Sequence, residues 1–175
     1  MLKHFLLVLL VSVSLFAGNL EKGLEAYNKG DYKTAVKLWK IEAKQGNSTA
    51  QYNLGVIYDF GKGVKQNYKE AAKWYQLAAK QGDHKAQFNL GSMCQYGQGV
   101  KQNYKEAMKW YKLAANQGYP AAQYNLGYLY VTGKGVSKDK IKAYKWWLEA
   151  AKQGYPKAQN ALDILCKESP WACKQ

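Results

Sequence analysis

Apolar residues recur along this chain at helical spacing, in short stretches punctuated by glycine. From Thr49 to Phe60, Ala50, Leu54, Ile57 and Tyr58 share one face. From Tyr68 to Gln81, Ala71, Trp74, Tyr75, Leu77 and Ala78 share another, with Lys69, Lys73, Gln76 and Lys80 opposite. Both patterns have the 3.6-residue period of amphipathic helices committed to a core on one side and to water on the other. Between them lies Gly61-Lys-Gly-Val64, whose glycines suit a tight connection. Asn67 with Glu70, and Asn103 with Glu106, have the spacing of a capping box at a helix start. Pro120 and Pro156 fall where a following helix begins, a position that tolerates the missing donor.

The pattern is periodic. Gly61 to Gly82 and Gly97 to Gly118 differ at four positions, a displacement of 36 residues. Gly46, Gly82, Gly118 and Gly154 close the second helices at the same step, and Ala50, Ala86, Ala122 and Ala158, each followed by glutamine, open the first ones. A fixed period of this size marks stacked units, because one helix pair cannot bury its own apolar face. An all-α chain of helix–loop–helix repeats is expected.

The consensus A-Q-Y-N-L-G-x-x-Y-x-x-G-x-G-V, followed by N-Y-K-E-A-x-K-W-Y-x-x-A-A-x-Q-G, resembles the Sel-one-like repeat (SLR), a relative of the tetratricopeptide repeat with a longer inter-helix loop. The resemblance covers three full units, 47–82, 83–118 and 119–154, with 155–175 as a C-terminal capping helix and tail. It implies a right-handed α/α solenoid. Residues 18–46 keep the second-helix pattern through Asp31, Ala35, Leu38, Trp39 and Ala43. There Tyr27-Asn-Lys-Gly-Asp31 lacks the five extra residues of the glycine loop, which looks like a tetratricopeptide unit serving as N-terminal cap.

Residues 1–17 read as a secretory signal peptide: a lysine near the start, an apolar run from Phe5 to Phe16, then small residues at Ala17 and Gly18. The run is short for a membrane span, and the expected product is an exported, periplasmic or secreted chain. All 26 basic residues are lysine, against 12 acidic ones. Nucleic-acid readers rely on arginine for bidentate contacts, so no nucleic-acid partner is expected; a solvated lysine face with weak attraction to anionic surfaces is. Cys94 and Cys166 hold equivalent first-helix positions two repeats apart. Helices stacked roughly 8–10 Å apart put them beyond the ~7 Å limit for a disulfide. Cys166 and Cys173 close a short loop, and these two are expected to be bonded, leaving Cys94 as a buried thiol.

Catalytic groups are sparse. Beyond the leader the one histidine is His84, which reads as a surface residue, and no His/Cys spacing suits a metal. A cysteine-rich exported branch of the SLR family contains members named β-lactamases or penicillin binders. Ser137-Lys-Asp-Lys140 has the bare S-x-x-K form, but it sits in a loop and lacks partner motifs, and the repeats of this chain carry alanines such as Ala79 and Ala86 where that branch has cysteine pairs. No catalytic residue, cofactor or metal is expected. Trp74, Trp110 and Trp146 recur at the period and are expected in the core.

The leading expectation is a non-catalytic scaffold or adaptor that holds a protein or peptide in its concave groove; β-lactam binding or hydrolysis and cell-wall glycan binding are the alternatives. Related solenoids line that groove with the first helix. Here this gives Tyr52 and Asn53, Phe88 and Asn89, then Tyr124, Asn125 and Tyr128. Rings supply contact area with little rotamer entropy to lose, and asparagines can bond a peptide backbone. The asparagines also suit ties between repeats. For the export step, the intact mass of the chain in an envelope fraction should correspond to a start near Gly18; a mass retaining Met1 to Ala17 would overturn cleavage.

Overall fold

A computed structural model describes residues 18–174, so the expected signal peptide at 1–17 lies outside the described residues. A first helical segment, α1, covers 18–28. It is followed by α2 (Tyr32–Lys44), α3 (Ser48–Phe60), α4 (Tyr68–Lys80), α5 (His84–Tyr96), α6 (Tyr104–Asn116), α7 (Pro120–Thr132), α8 (Lys140–Lys152), α9 (Pro156–Glu168) and a 3-10 turn (Pro170–Cys173). The fold class is all-α, a right-handed α/α solenoid of stacked helix–loop–helix repeats. The chain forms two compact units, Met1–Ala78 and Ala79–Gln175, with the boundary in the last turn of α4. In the first, α2 packs on α3; in the second, α5 packs on α6, α6 on α7, α7 on α8 and α8 on α9.

Each full repeat is fixed by a glycine facing a ring. Tyr75, Tyr111 and Trp147 are buried in the second helices, and each lies against a first-helix glycine: Gly55, Gly91 and Gly127 respectively. A Cβ on Gly91 would sit 2.8 Å from the Tyr111 ring, and one on Gly127 2.5 Å from the Trp147 indole. Gly23 of α1 and Trp39 of α2 repeat the arrangement. Ring polar atoms bond locally: Trp147 Nε1 donates to the Tyr124 carbonyl at 2.9 Å, and the Tyr75 hydroxyl to Asp59 at 3.2 Å. Fully buried alanines fill the rest of the helix seam, among them Ala71, Ala107 and Ala143.

Four expectations change. The buried stripe of α4 is Ala71, Tyr75 and Ala78, so Leu77, turned about 100° from Ala78, is 45 % exposed rather than core. Trp74, Trp110 and Trp146 are half-buried on the shoulder of that stripe, while the following residue is the buried ring. Tyr58 is likewise half-buried, with the Lys40 ammonium 5.8 Å from its ring centre. The capping boxes are made by halves. Asn67 and Asn103 accept from the backbone N–H of Glu70 and Glu106 at 3.0 and 3.1 Å. Their own N–H groups donate to the Tyr58 and Cys94 carbonyls at 2.8 Å, which satisfies first-helix carbonyls left free at the helix end. Glu70 and Glu106 pair instead with Lys73 and Lys109.

The cap loop is also four residues shorter than the others rather than five, since Gly23 precedes Trp39 by 16 residues where Gly55 precedes Tyr75 by 20. Prolines 120 and 156 begin α7 and α9 as expected. At the C-terminal end Cys166 and Cys173 are bonded, with Cα atoms 5.7 Å apart, and the 3-10 turn lies against α8 and α9 with Ala172 fully buried. Cys94 is free and buried, and burial pushes its thiol pKa up, with Glu106 adding to the shift.

Two measurements follow. In chemical denaturation Tyr111→Ala should lose about 3–5 kcal/mol, whereas exposed Leu113→Ala should change stability by no more than about 0.5 kcal/mol; similar losses would refute the assignment of the buried ring. Mapping of unreduced peptides should find Cys166 linked to Cys173, and replacing both by serine should lower stability by about 2–3 kcal/mol for a loop this short. Alkylation of both thiols without reduction would overturn the bond.

Candidate functional site

The residues expected to line a groove lie on the first-helix surface left over once the inward positions are filled. In α7, Ala122, Leu126 and Leu129 are buried, and Tyr124, Asn125 and Tyr128 are half-buried on the adjoining side. Phe88 and Asn89 take the same register in α5, as do Tyr52 and Asn53 in α3 of the first unit, all half-buried. The helix α7 carries no charged residue, and α5 carries no acidic one. Charge is concentrated on the second helices, where Lys109 pairs with Glu106 at 2.9 Å and Lys152 with Glu149 at 2.8 Å. Exposed pairs of this kind contribute roughly 0–1 kcal/mol each, so they chiefly keep the outer surface wet.

The rings divide by how firmly they are held. Phe88 stands 5.8 Å from Tyr111 and edge-on to Tyr119 at 5.3 Å; Tyr124 is 6.2 Å from Trp147 and 5.6 Å from Tyr155. Tyr52 lies 5.9 Å from Tyr75. Each of these rings therefore covers its own repeat's core ring as well as facing outward. Tyr128 differs: the Lys134 ammonium sits 3.4 Å from its hydroxyl and 5.5 Å from its ring centre, and 5.4 Å from the ring of Tyr104. These contacts, that with the Tyr128 hydroxyl first, raise the Lys134 pKa, which stabilises the cation. Asn125 and Ser92 face the buried Tyr111 hydroxyl. Burial pushes that phenol above its usual range, and the two side chains act in the opposite direction. Asn125 thus reaches from α7 to the preceding second helix.

Several positions on and beside this surface escaped sequence reasoning. Ile164, 59 % exposed on α9, continues the register of Ser92 and Tyr128 at the same step of 36. Lys134 is one, and Lys62 another; the Lys62 ammonium is 2.6 Å from the Tyr27 hydroxyl and lies over the rings of Tyr27 and Tyr32. Their signal was the lysine between loop glycines, repeated at twice the period. The glutamines after the periodic alanines were visible only as landmarks. Gln87 and Gln123 donate to the Ala79 and Ala115 carbonyls at 3.1 and 3.2 Å, and they accept from Gln117 and Gln153 at 2.8 Å.

The catalytic pattern is not assembled. Ser137 is exposed, and Lys140 instead donates to Ser169 at 2.7 Å, where it ties α8 to the end of α9. His84 is half-buried with its ring 5.1 Å from Tyr119. Among the described residues no three His, Cys, Asp or Glu side chains are grouped to hold a metal, and no helix is long and apolar enough to cross a membrane.

Comparison with known proteins now bears on this scaffold. The Sel1 repeat profile matches residues 48–83, 84–119 and 120–155. Among solved structures, a Sel1 repeat protein from Oxalobacter formigenes is 38 % identical with a TM-score of 0.79, over 83 % of this chain and 60 % of that one. A protective antigen present in uropathogenic Escherichia coli strains, displaying an SLR fold, is 37 % identical with a TM-score of 0.83, over 87 % of this chain and 34 % of that one. The chain thus spans less than two thirds of the length of either. Helicobacter pylori cysteine rich protein B, 21 % identical with a TM-score of 0.60 over 75 % of this chain and 95 % of that one, shares the fold. No curated protein sequence matches. With three profile matches covering more than half its length and two solved relatives above 30 % identity, the chain belongs to the Sel1 repeat family.

Proposed function

We propose that the chain is an exported, non-catalytic scaffold or adaptor that holds a protein or peptide against its first-helix groove. The observation that carries this reading is the surface of α7: uncharged along its whole length, with Tyr128 and Asn125 presented beside Tyr124, whose ring is already fixed by Trp147 and Tyr155. Rings and amides that are held before binding lose little entropy when a partner arrives. Sel1 repeats generally mediate protein interaction, which agrees with this surface. In the second unit the groove would be lined by Phe88, Asn89, Tyr124, Asn125 and Tyr128, with Ile164 continuing the row. Tyr52 and Asn53 hold the same register in the first. The bond between Cys166 and Cys173 supports an oxidising compartment, in keeping with the leader expected at 1–17.

The test starts with a photo-crosslinking amino acid at Tyr128 and, as control, at Lys109 on the lysine face, to identify the partner in an envelope extract. Calorimetry with that partner should then show Tyr128→Ala weakening affinity by about 1–2 kcal/mol, as anchor residues do. Unchanged affinity in Tyr128→Ala, with affinity lost when Lys69, Lys73 and Lys105 are neutralised, would move the site to the lysine face.

A further inference from the structure

One position in α2 breaks the rule of its sister helices. Where α4, α6 and α8 bury Ala78, Ala114 and Ala150 completely, α2 carries Glu42, which is only 2 % exposed. Its carboxylate Oε1 is buried and accepts no hydrogen bond. Backbone donors are close at hand, but the N–H groups of Gln45 and Asn47 go to the Glu42 carbonyl instead. The carboxylate also sits in the last turn of α2, where the helix dipole is negative and adds to the cost of an anion. A buried charged acceptor without a donor is costly to keep. Beside it lies an open depression of about 580 Å³, lined by Glu42, Gln45, Gly46 and Asn47.

We propose that this depression is a binding site for a primary ammonium group, delivered by a lysine side chain or a chain N-terminus. An ammonium brings three donors and a positive charge to the two things the site offers, the Glu42 carboxyl group lining the depression, one of whose oxygens has no protein donor, and the negative end of a helix. The largely apolar wall suits an aliphatic stem such as that of lysine. A divalent metal fits less well. Calcium takes about six to eight oxygen ligands, and no three acidic, histidine or cysteine side chains are grouped among the described residues. None of these residues belongs to the first-helix groove, so the site stands or falls separately from the groove reading.

The test uses the full ¹⁵N-labelled chain and three small probes followed by NMR: Nα-acetyl-lysine methylamide, the norleucine analogue that lacks the ammonium, and glycine methylamide, which carries a free α-ammonium. Saturable shifts at the amides of Gln45, Gly46 and Asn47 are expected with one or both ammonium probes and not with norleucine; the probe that binds assigns the source. Glu42→Gln preserves shape and should weaken binding at least about ten-fold, as loss of a charged hydrogen-bond partner does. Glu42→Ala installs the residue of the sister helices, so it should fold with a higher thermal midpoint and yet not bind. No saturable shift with either ammonium, an equal response to norleucine, or undiminished binding in either variant would overturn the proposal. So would a lower midpoint for Glu42→Ala, which would mean that the carboxylate is already satisfied within the protein.

Discussion

A bare backbone opposite an aromatic ring sets the distance between the two helices of a repeat. Gly91 under Tyr111 and Gly127 under Trp147 leave no room for a methyl group, so the ring seats directly on the first helix and the seam closes at that spacing. The alanines at the same level, such as Ala107 and Ala143, let the helices stay close along their length. The ring type is free within this constraint, and it determines the polar contact that follows. An indole N–H reaches a carbonyl of the neighbouring first helix, as Trp147 does at Tyr124, whereas the Tyr75 phenol extends to Asp59. Burial raises the Asp59 pKa, opposed by the Tyr75 bond, so this carboxylate depends on its one donor.

Once the helices are this close, the ends of adjacent repeats come within reach of one glutamine. Gln123 uses its amide twice, donating to the end of α6 at the Ala115 carbonyl and accepting from Gln153 after α8. It is 5 % exposed, so each bond it failed to make would leave a buried polar group without a partner. Apolar packing alone would permit one repeat to slide on the next; a buried amide with two directional partners admits a single register. The ion-paired lysines of α6 and α8 have no such role. Their partners lie three residues away on the same helix and would be kept in any arrangement of the repeats.

Much of this was legible in the sequence, and the rest fails for identifiable reasons. The period, the helix spans and the turn glycines were plain, because spacing and positive-φ positions are local properties; Gly61, Gly97 and Gly133 all end their helices in the left-handed region. The bond between Cys166 and Cys173 followed from chain distance. Which of two neighbouring rings is buried could not be read, because Trp110 and Tyr111 differ by one helical step and the choice depends on the glycine they face. The acceptors taken by the Asn67 and Asn103 N–H groups are carbonyls nine residues upstream, which a capping rule confined to one helix does not see. Glu42 looked like an ordinary charged residue, and only its register against Ala78, Ala114 and Ala150 marks it out.

The same economy shapes the first-helix surface. Phe88 and Tyr124 lie against the core rings of their own repeats and against Tyr119 and Tyr155, which open the next helix, so they are part of the fold before they are part of any surface. Truncating them would disturb the packing of the repeat. Tyr128 has neither ring contact; partly buried, it packs against the core clusters on both sides of α7 and meets the Lys134 ammonium at its hydroxyl. Over the three full repeats the equivalent register has Val56, Ser92 and Tyr128, whereas the ring register beside it keeps Tyr52, Phe88 and Tyr124; in the capping helix both change, to Ile164 and Asn160. Variation at one register with constancy at its neighbour is what a repeat requires if it is to keep its core and still present different chemistry on successive turns.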